Sequence, residues 1–322
     1  MKILLTAGGG GHTGYAIAIG RELTTTEELI FLVDSGDQLS ADRLSKLGDI
    51  EKVAKPRSPH TPMWRFALRF LYCSLQSLCV WLKHRPTIIV STGSNLAIPI
   101  AIIGRLLGSK IVNIEDSVRI FSSSKTSRYL DFIASITLLQ WREQQKFHPK
   151  KGIYVGLLLP QVRSSTRDGP ILISPGTFGF QKLYDIAIQT HLNNVVMTVG
   201  DLDPQQYSKD GWTTVSRLVG LDDVLSKARV VVTHLGYTAW ESINYQVPVV
   251  IIPNPAWRRS SVAEMEKVCD FMQQKGFGIY LPHDNMTPEG LENAVHRAES
   301  MTVPKIEVGA KMAADRIREV EK

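Results

Sequence analysis

The segment Lys2-Ile3-Leu4-Leu5-Thr6-Ala7-Gly8-Gly9-Gly10-Gly11-His12 combines a buried-strand pattern, a run of glycines and a histidine. A helix-like stretch follows it, from Thr13 to Leu23. A strand, a glycine loop and a helix in this order bring backbone N–H groups and a helix N-terminus against an anion. His12 adds a side chain that can exchange a proton near neutral pH. The segment therefore predicts an α/β fold that acts on, or beside, a phosphorylated molecule.

The same loop is compatible with a dinucleotide-binding site. Gly8, Gly10 and Gly14 nearly satisfy that fingerprint, although the last glycine comes one residue late. Asp34 ends the next strand, about 20 residues on, where an acid that binds ribose belongs. A tight turn that binds nothing is a third alternative. Motifs elsewhere in the chain are needed to choose among these three interpretations.

The composition limits the classes of protein. A chain of 322 residues, 43% hydrophobic and 21% charged, favours two globular domains. The net charge of +6 favours anionic partners such as a nucleotide, a lipid phosphate or an acidic membrane surface. Scattered basic residues without a nucleic-acid motif argue against nucleic acid. The 3 cysteines show no metal-ligand spacing, which indicates a reduced, cytosolic setting. We expect residues 1–6 to form a strand and not a secretion signal.

Apolar runs alternate with longer amphipathic segments along the whole chain. Because these runs are continuous and β-branched, we expect parallel strands covered on both faces. The runs are Lys2–Thr6, Ile30–Val33, Thr87–Ser91, Lys110–Ile114, Ile136–Leu139, Ile171–Ser174, Asn194–Val199, Val230–Thr233 and Val249–Ile252. We predict two Rossmann-like, doubly wound domains, residues 1–160 and 161–305, whose loops face a central cleft.

Residues 62–83 break this alternation. Their apolar side chains follow helical spacing on two faces, whereas a soluble surface helix needs apolar side chains on only one face. One stripe runs from Trp64 to Leu82, and the other includes Cys73. Arg65 and Arg69 leave too short an apolar run for a spanning helix of about 20 residues. We predict an interfacial helix over 63–83 on a membrane surface, and a buried crossover helix is the alternative. The residues assigned to lipid are Trp64, Phe66, Phe70 and Trp81.

In the second half, Thr233-His234-Leu235-Gly236-Tyr237-Thr238 forms a turn whose spacing suits a nucleoside diphosphate. Gly236 lets the backbone approach, and the N–H groups near Tyr237 and Thr238 point at phosphate from a helix start. Glu241, one turn into that helix, is placed to accept hydrogen bonds from two ribose hydroxyls. A solvated glutamate favoured by the helix dipole is the alternative.

With these motifs together, the chain resembles GT-B glycosyltransferases that add N-acetylglucosamine (GlcNAc) to a polyprenyl-diphosphate sugar. It is similar to the two-subunit eukaryotic enzyme that adds the second GlcNAc to dolichyl-diphosphate-GlcNAc, here on one chain as in archaeal counterparts. The bacterial peptidoglycan GlcNAc transferase shares the Gly-Gly-His loop more distantly. The matching segments are Gly8–Gly14, Ser91–Pro99, Val112–Glu115, Leu139–Arg142 and Tyr154–Gly156 on the acceptor side, and Ile173–Thr177 and Thr233–Glu241 on the donor side.

The resemblance implies an inverting hexosyltransferase that moves GlcNAc from UDP-GlcNAc to a dolichyl- or polyprenyl-diphosphate-linked GlcNAc in N-glycan precursor assembly, at the cytoplasmic face of the cell membrane. It also suggests that residues 306–322 form a helix packing back on the first domain. We expect no cofactor or metal, because backbone N–H groups can stabilise the leaving diphosphate. Asp201-Leu202-Asp203 is interpreted as a polar turn.

The resemblance also assigns roles. His12 is the first candidate for a general base, which contributes about 10² to 10⁴-fold. Glu115 is the second, or it orients His12 or holds the acceptor sugar. Counter-charges for the acceptor's diphosphate are expected from Arg119, Lys125 or Arg128.

Each substrate has a predicted set of contacts. The set for the acceptor diphosphate is Gly9, Gly10, Gly11, Thr13, Thr92, Gly93, Ser94 and Asn95. The set for the donor nucleotide is Gly176, Thr177, Leu221, His234, Gly236, Tyr237, Thr238 and Glu241. Where the family has a glutamine-containing pair for the donor sugar, this chain has Glu264 and Glu266.

Other functions stay open at this point. A UDP-GlcNAc 2-epimerase has the same fold but needs no membrane helix. A dehydrogenase would use Asp34 and bind NAD. A non-catalytic protein that binds lipid or nucleotide would tolerate the loss of His12. The oligomeric state does not follow from the sequence.

Overall fold

The computed structural model describes residues 1–24, 26–57, 61–176, 179–255 and 261–321. The chain forms two compact units, Met1–Pro160 with Glu307–Lys322, and Gln161–Ile306. Each unit is built on one parallel sheet, of 7 strands in the first and 6 in the second. The prediction of two doubly wound α/β domains is therefore confirmed.

The first unit alternates strands and helices in chain order. Its elements are β1 (Lys2–Ala7), α1 (Gly11–Leu23), β2 (Glu28–Asp34), α2 (Gln38–Leu44), β3 (Asp49–Val53), α3 (Met63–His84), β4 (Ile88–Ser91), α4 (Ala97–Leu106), β5 (Lys110–Ile114), α5 (Lys125–Asp131), β6 (Ile136–Leu139), a 3₁₀ helix (Arg142–Phe147) and β7 (Gly152–Tyr154). The strand order is β3-β2-β1-β4-β5-β6-β7.

This strand order reverses between β1 and β4, which pair in parallel with Ile3 opposite Ile88. At such a switch point the loops that leave two neighbouring strands open a crevice at the carboxyl edge of the sheet. The glycine turn after β1 and the loop after β4 therefore lie side by side. Helices α3, α4 and α5 cover one face of the sheet, where Cys73, Ile100 and Leu130 pack with strand residues such as Leu4 and Ile89.

The second unit repeats the plan. Its elements are β8 (Ile171–Ile173), α6 (Gln181–Ala187), β9 (Val195–Thr198), a 3₁₀ helix (Pro204–Tyr207), β10 (Trp212–Val215), α7 (Asp222–Leu225), β11 (Val230–Thr233), α8 (Tyr237–Asn244), β12 (Val249–Ile251), α9 (Val262–Gln274), β13 (Gly278–Tyr280), a 3₁₀ helix (His283–Asn285) and α10 (Pro288–Glu299). The order β10-β9-β8-β11-β12-β13 places the switch point between β8 and β11.

The last helix, α11 (Ala310–Glu319), belongs to the first unit. It packs on α1 and buries Ala313, Ala314 and Ile317. The Arg318 guanidinium donates to Glu27 at 2.9 Å, which places the end of α11 beside the turn after α1. Just before the helix, the backbone N–H of Gly309 donates to the carbonyl of Leu157 at 2.7 Å.

Candidate active site

The glycine turn after β1 packs directly against the loop after β4. A Cβ at Gly8 would lie 2.1 Å from the Cβ of Ser94, so only glycine allows this approach. Gly9 and Gly10 have φ of 87° and 56°, in the left-handed region. Gly10 then caps α1 without any side-chain cap hydrogen bond. The first N–H groups of α1 thus form a turn suited to an anion.

His12 lies in the first turn of α1 and is buried against the neighbouring loop. Its Nδ1 is 2.5 Å from the carbonyl oxygen of Thr92. Because a carbonyl oxygen only accepts, Nδ1 carries the hydrogen, and in the neutral ring Nε2 holds the lone pair. A Cβ at Gly93, where φ is 101°, would lie 3.3 Å from His12 Cε1. The loop after β4 therefore fixes both the tautomer and the orientation of this imidazole.

Two hydroxyls predicted to contact the diphosphate have other partners. Thr13 Oγ1 lies 2.8 Å from the Ser40 hydroxyl, and Thr92 Oγ1 donates to the Thr6 carbonyl at 2.8 Å. Both residues are buried. These side chains hold the loops together, which leaves the backbone N–H groups of this turn as the candidate groups for an anion.

Asn95 also differs from its predicted role. Its Nδ2 donates to the carbonyl of Arg57 at 3.1 Å, which fixes which way the amide points. Oδ1 is then a buried acceptor without a hydrogen-bond partner among the described residues. An acceptor oxygen repels a phosphate oxygen, so this atom suits a donor such as a sugar hydroxyl or an acetamido N–H.

Glu115, the second candidate base, is fully buried at the end of β5. One carboxylate oxygen accepts from the Asp116 N–H at 2.9 Å. The other accepts from the Ser123 hydroxyl at 2.6 Å and lies 2.9 Å from His148 Nε2. The carboxylate is therefore saturated inside the protein, and it holds the loop 116–124 in place.

His148 completes this buried cluster and was missed by sequence reasoning. Its Nδ1 lies 3.0 Å from Asp131, so the ring stands between two carboxylates. Burial lowers the pKa of His148, but the hydrogen bonds and charges of Glu115 and Asp131 outweigh it and raise the pKa overall. Its partners lie 33 and 17 residues away, so no local pattern predicts the contact.

Tyr15, one turn after His12, ties α1 to the same loop. Its hydroxyl lies 2.6 Å from the Ser117 hydroxyl and donates to Asp116 at 3.0 Å. Burial, with the charge of Asp116, raises the pKa of the phenol. The ring also meets His12 edge-on, with 6.2 Å between centroids. One helix therefore connects the catalytic candidate and the loop that follows Glu115.

In the second unit, His234 is buried between two glycines. A Cβ at Gly176, where φ is 85°, would lie 2.5 Å from His234 Cε1, and one at Gly236 would lie 3.0 Å from Nε2. The Thr233 hydroxyl donates to the carbonyl of Ser174 at 2.7 Å. The loops after β8 and β11 are thus packed together through this ring. Thr177, predicted to bind the donor, lies outside the described residues.

The remaining donor contacts surround the start of α8. Tyr237 and Thr238 form its first turn, and Gly236 caps it without a side-chain cap hydrogen bond. Glu241 is half-buried in the following turn, and Leu221 is half-buried at the start of α7. The first backbone N–H groups of α8 therefore lack a side-chain cap from Gly236, and such a helix start suits an anion.

Glu264 and Glu266 are not brought together. Glu264 is in the first turn of α9, where its N–H donates to the Ser261 hydroxyl at 3.2 Å. Glu266 is near Tyr280, whose pKa is raised by burial and by the Glu266 charge. Residues two apart on a helix point in different directions. That Glu264 or Glu266 accepts hydrogen bonds from the donor sugar stays a prediction.

The acids at 201–203 have protein partners in the second unit. Asp201 pairs with Arg217, and Asp203 accepts from the Gln205 N–H at 3.0 Å, as a capping residue does. Across the described ranges, no cluster of three or more His, Cys, Asp or Glu residues could hold a metal ion.

Helix α3 exposes a continuous apolar face. Its buried residues are Cys73, Ser77, Val80 and His84. The exposed large side chains are Met63, Trp64, Leu68, Leu71, Tyr72, Leu75, Leu78 and Leu82, continued by Leu106, Leu107, Tyr129 and Phe132 at the ends of α4 and α5. A soluble surface normally keeps such patches small. Within the described residues, no helix has the length and apolar character to cross a bilayer.

The membrane residues predicted from the sequence are only partly on this face. Trp64 is 62% exposed, and Phe66 and Phe70 are half-buried. Trp81 instead packs on the core of the first unit, and its Nε1 donates to the Ser109 hydroxyl at 2.9 Å. Trp81 is therefore a structural residue, because the helical stripe that faces outward is the Trp64–Leu82 stripe.

Comparison with known proteins agrees with this division into halves. Residues 3–158 match the family described as oligosaccharide biosynthesis protein Alg14 like, and residues 179–321 match the glycosyltransferase family 28 C-terminal domain. The first half of the chain is thus similar to the Alg14-like family, and the second half is similar to the family 28 C-terminal domain.

Two curated relatives are named as an N-acetylglucosamine transferase or as a subunit of one. A UDP-N-acetylglucosamine–N-acetylmuramyl-(pentapeptide) pyrophosphoryl-undecaprenol N-acetylglucosamine transferase from Syntrophotalea carbinolica is 26% identical over 99% of this chain and 98% of its own length. The UDP-N-acetylglucosamine transferase subunit ALG14 of Candida albicans is 29% identical over 49% of this chain and 78% of the subunit. The chain is homologous to both.

Solved structures agree on the fold. Acinetobacter baumannii MurG superposes with a TM-score of 0.66 at 16% identity, covering 99% of each chain. A UDP-GlcNAc 2-epimerase from Methanocaldococcus jannaschii superposes with a TM-score of 0.68 at 13% identity, also covering 99% of each chain. These likenesses show the fold alone and confirm the predicted GT-B class.

Proposed function

We propose that this chain is an inverting glycosyltransferase that moves GlcNAc from UDP-GlcNAc to a sugar on a polyprenyl diphosphate. The observation that carries the proposal is His12, held in an anion-binding glycine turn with Nδ1 bound to the Thr92 carbonyl. In its finer form, the acceptor is dolichyl- or polyprenyl-diphosphate-GlcNAc in N-glycan precursor assembly. The enzyme would work at the cytoplasmic face of the cell membrane.

The proposed mechanism is a single displacement. The acceptor hydroxyl oxygen attacks the anomeric carbon of UDP-GlcNAc while Nε2 of His12 takes its proton. The bond between that carbon and the phosphate oxygen breaks, and UDP leaves with the electron pair. Direct displacement inverts the anomeric centre and gives a β-linked sugar. Glu115 acts through position only, since its carboxylate is fully buried.

The second unit would stabilise the leaving UDP. In this proposal, the N–H groups at the start of α8 and of Gly176 would meet the negative charge that develops on the diphosphate. Glu241 would accept hydrogen bonds from the ribose hydroxyls. Backbone donors of this kind need no divalent ion, so we propose a metal-independent reaction.

The first unit would bind the lipid-linked acceptor at the membrane surface. The exposed face of α3 and the ends of α4 and α5 supply apolar side chains for the headgroup region. A 2-epimerase of the same fold has no use for such a face. We favour a GlcNAc acceptor over the N-acetylmuramyl-(pentapeptide) acceptor in the name of the Syntrophotalea relative, because the half that contains α3 matches the Alg14-like family.

A transfer assay tests the proposal. The purified chain in detergent would receive UDP-GlcNAc with polyprenyl-diphosphate-GlcNAc or with the N-acetylmuramyl-pentapeptide analogue, each with and without EDTA. We expect a lipid-linked disaccharide from the first acceptor in both conditions, detected by mass spectrometry.

Other outcomes separate the parts of the proposal. Product from the muramyl acceptor alone would change the acceptor, and product abolished by EDTA would remove metal independence. UDP-N-acetylmannosamine formed without any acceptor would identify an epimerase. If neither product nor epimer forms, the enzymatic proposal is wrong.

A further inference from the structure

The segment after β3 reaches the glycine turn, although sequence reasoning gave it no role. The Lys55 ammonium donates to the carbonyl of Gly8 at 3.2 Å, and the carbonyl of Arg57 accepts from Asn95 at 3.1 Å. Residues 54–57 therefore touch both loops of the switch point, the one after β1 and the one after β4.

The same segment is attached to α3. The Ala54 N–H donates to Gln76 Oε1 at 2.8 Å, and the Arg57 guanidinium lies 5.9 Å from the centre of the Phe66 ring. Gln76 and Phe66 are both on α3. Two cationic residues are thus placed where the glycine turn meets the exposed apolar helix.

The charge balance of the turn calls for such cations. A helix N-terminus contributes only about half an elementary charge, whereas a lipid diphosphate carries about two or more. Asp37 adds negative charge, since its Oδ2 would lie 3.0 Å from a Cβ at Gly9. Its carboxylate is bonded to the Ser40 hydroxyl at 2.6 Å and stays within the protein. The full positive charge of Lys55 beside Gly8 would attract the diphosphate and would partly balance the Asp37 carboxylate.

We propose that Lys55, assisted by Arg57, binds the diphosphate of the acceptor at the point where the lipid tail passes onto α3. This inference rests on the proposed function and names the residues that recognise its acceptor. The cations expected from the sequence are placed differently. Arg119 is in the loop 116–124 beside Ser122, and Lys125 and Arg128 are exposed on α5.

The test measures binding and kinetics on the full chain. Geranyl diphosphate and geranyl monophosphate serve as soluble probes in isothermal titration calorimetry. Lys55→Met should weaken geranyl diphosphate binding about tenfold to a hundredfold, because charge-assisted hydrogen bonds to phosphate are lost. The monophosphate should lose less. Lys55→Arg should stay within a few-fold of the natural chain, and Arg57→Met should show a smaller loss than Lys55→Met.

Lys46→Met is the matched control. Lys46 is an exposed lysine in the turn before β3, whereas Lys55 follows the carboxyl end of that strand, and the loss of Lys46 should change nothing. In the transfer assay, Lys55→Met should raise KM for the lipid acceptor and leave KM for UDP-GlcNAc unchanged.

Two results would overturn the inference. One is unchanged diphosphate binding by Lys55→Met; the other is an equal loss for both geranyl phosphates with a lower Tm, which would make Lys55 a structural tie to Gly8. A failure of this inference can be distinguished from a failure of the proposed function. A chain that transfers GlcNAc but ignores Lys55→Met refutes only the inference, whereas one that binds diphosphate through Lys55 but transfers nothing refutes only the function.

Discussion

The two units use a histidine and a glycine at corresponding strand ends, but with the roles exchanged. In the first unit, His12 follows the first strand of the sheet and packs on Gly93, in the loop of the neighbouring strand. In the second, Gly176 follows the first strand and packs on His234, in the loop of its neighbour. Both pairs bridge the switch point of their sheet.

The difference lies in what surrounds each ring. His12 has one glycine beside it and a carbonyl that fixes its tautomer, at 2.5 Å from Nδ1. His234 has a glycine on each side, and a methyl group added at Gly176 or Gly236 would lie 2.5 or 3.0 Å from the ring. We infer that the first arrangement suits a ring that accepts a proton. We infer that the second makes the ring a spacer between two backbone loops, the one after β8 and the one after β11.

The largest expected effect separates these roles. His12→Ala should lower kcat by about 10² to 10⁴-fold, because the reaction loses its general base. His234→Ala, as the matched variant, should act mainly on KM for UDP-GlcNAc, since it alters the donor loops. Steady-state kinetics with both substrates varied checks this. Equal kcat losses in the two variants would show that the comparison is wrong.

A smaller effect is expected for the glycine that contacts the spacer. Gly176→Ala should raise KM for UDP-GlcNAc at least about tenfold and destabilise the chain by about 1–3 kcal/mol, through steric contact and positive φ together. Gly211→Ala measures the cost of the positive φ alone, because Gly211 has a φ of 77° and no atom lies within 4 Å of its Cβ position. Chemical denaturation and donor titration measure both. If Gly211→Ala matches Gly176→Ala in KM, the contact with His234 is unimportant.

The units also differ in surface, and this predicts an effect on membrane binding. Leu68→Gln with Leu71→Gln should weaken binding to phospholipid vesicles about tenfold per residue, since each apolar side chain leaves the headgroup region. Val219→Gln is the control, because Val219 is 81% exposed in the second unit. Vesicle co-sedimentation gives the affinities. Transfer to a short soluble acceptor should be unchanged, and unaltered vesicle binding would place the membrane contact elsewhere.

The smallest effect concerns the buried cluster of the first unit. The folded chain raises the pKa of His148, so its contribution to stability is complete below the unfolded pKa of about 6.5 and is lost as pH rises through the folded value. The Tm difference between the natural chain and His148→Gln should therefore shrink from pH 6 to pH 9. Scanning calorimetry across this range checks the sign, and a difference that grows with pH would contradict it.

The central strands were predictable from the sequence, and the edge strands were not. Each strand with a neighbour on both sides, such as β5 and β11, appears as an apolar run. The unpredicted strands are β3, β7, β10 and β13, which are the four sheet edges. An edge strand is less covered and can carry charges, as Asp49, Glu51 and Lys52 do in β3. Periodicity therefore reports burial more than strand formation.

In the candidate site, too, the sequence predicted local features and missed contacts between distant residues. The glycine turns are local in sequence, and the position of His12 follows from them. The contacts Glu115–His148, Thr13–Ser40 and Lys55–Gly8 span 33, 27 and 47 residues, so only the folded chain shows that these polar groups are already bonded. That is why the sequence made Glu115 a candidate base and gave Lys55 no role.

The return of α11 to the first unit makes the second unit an insertion with two covalent connections. If the polypeptide were divided after residue 160, the second fragment would still carry the helix that covers α1, with Ala313, Ala314 and Ile317 on its inner side. The first fragment would expose the matching apolar surface. Two separately synthesised halves would thus associate through α11 packed on α1. We expect a gene split at this junction to give an assembly of the two fragments.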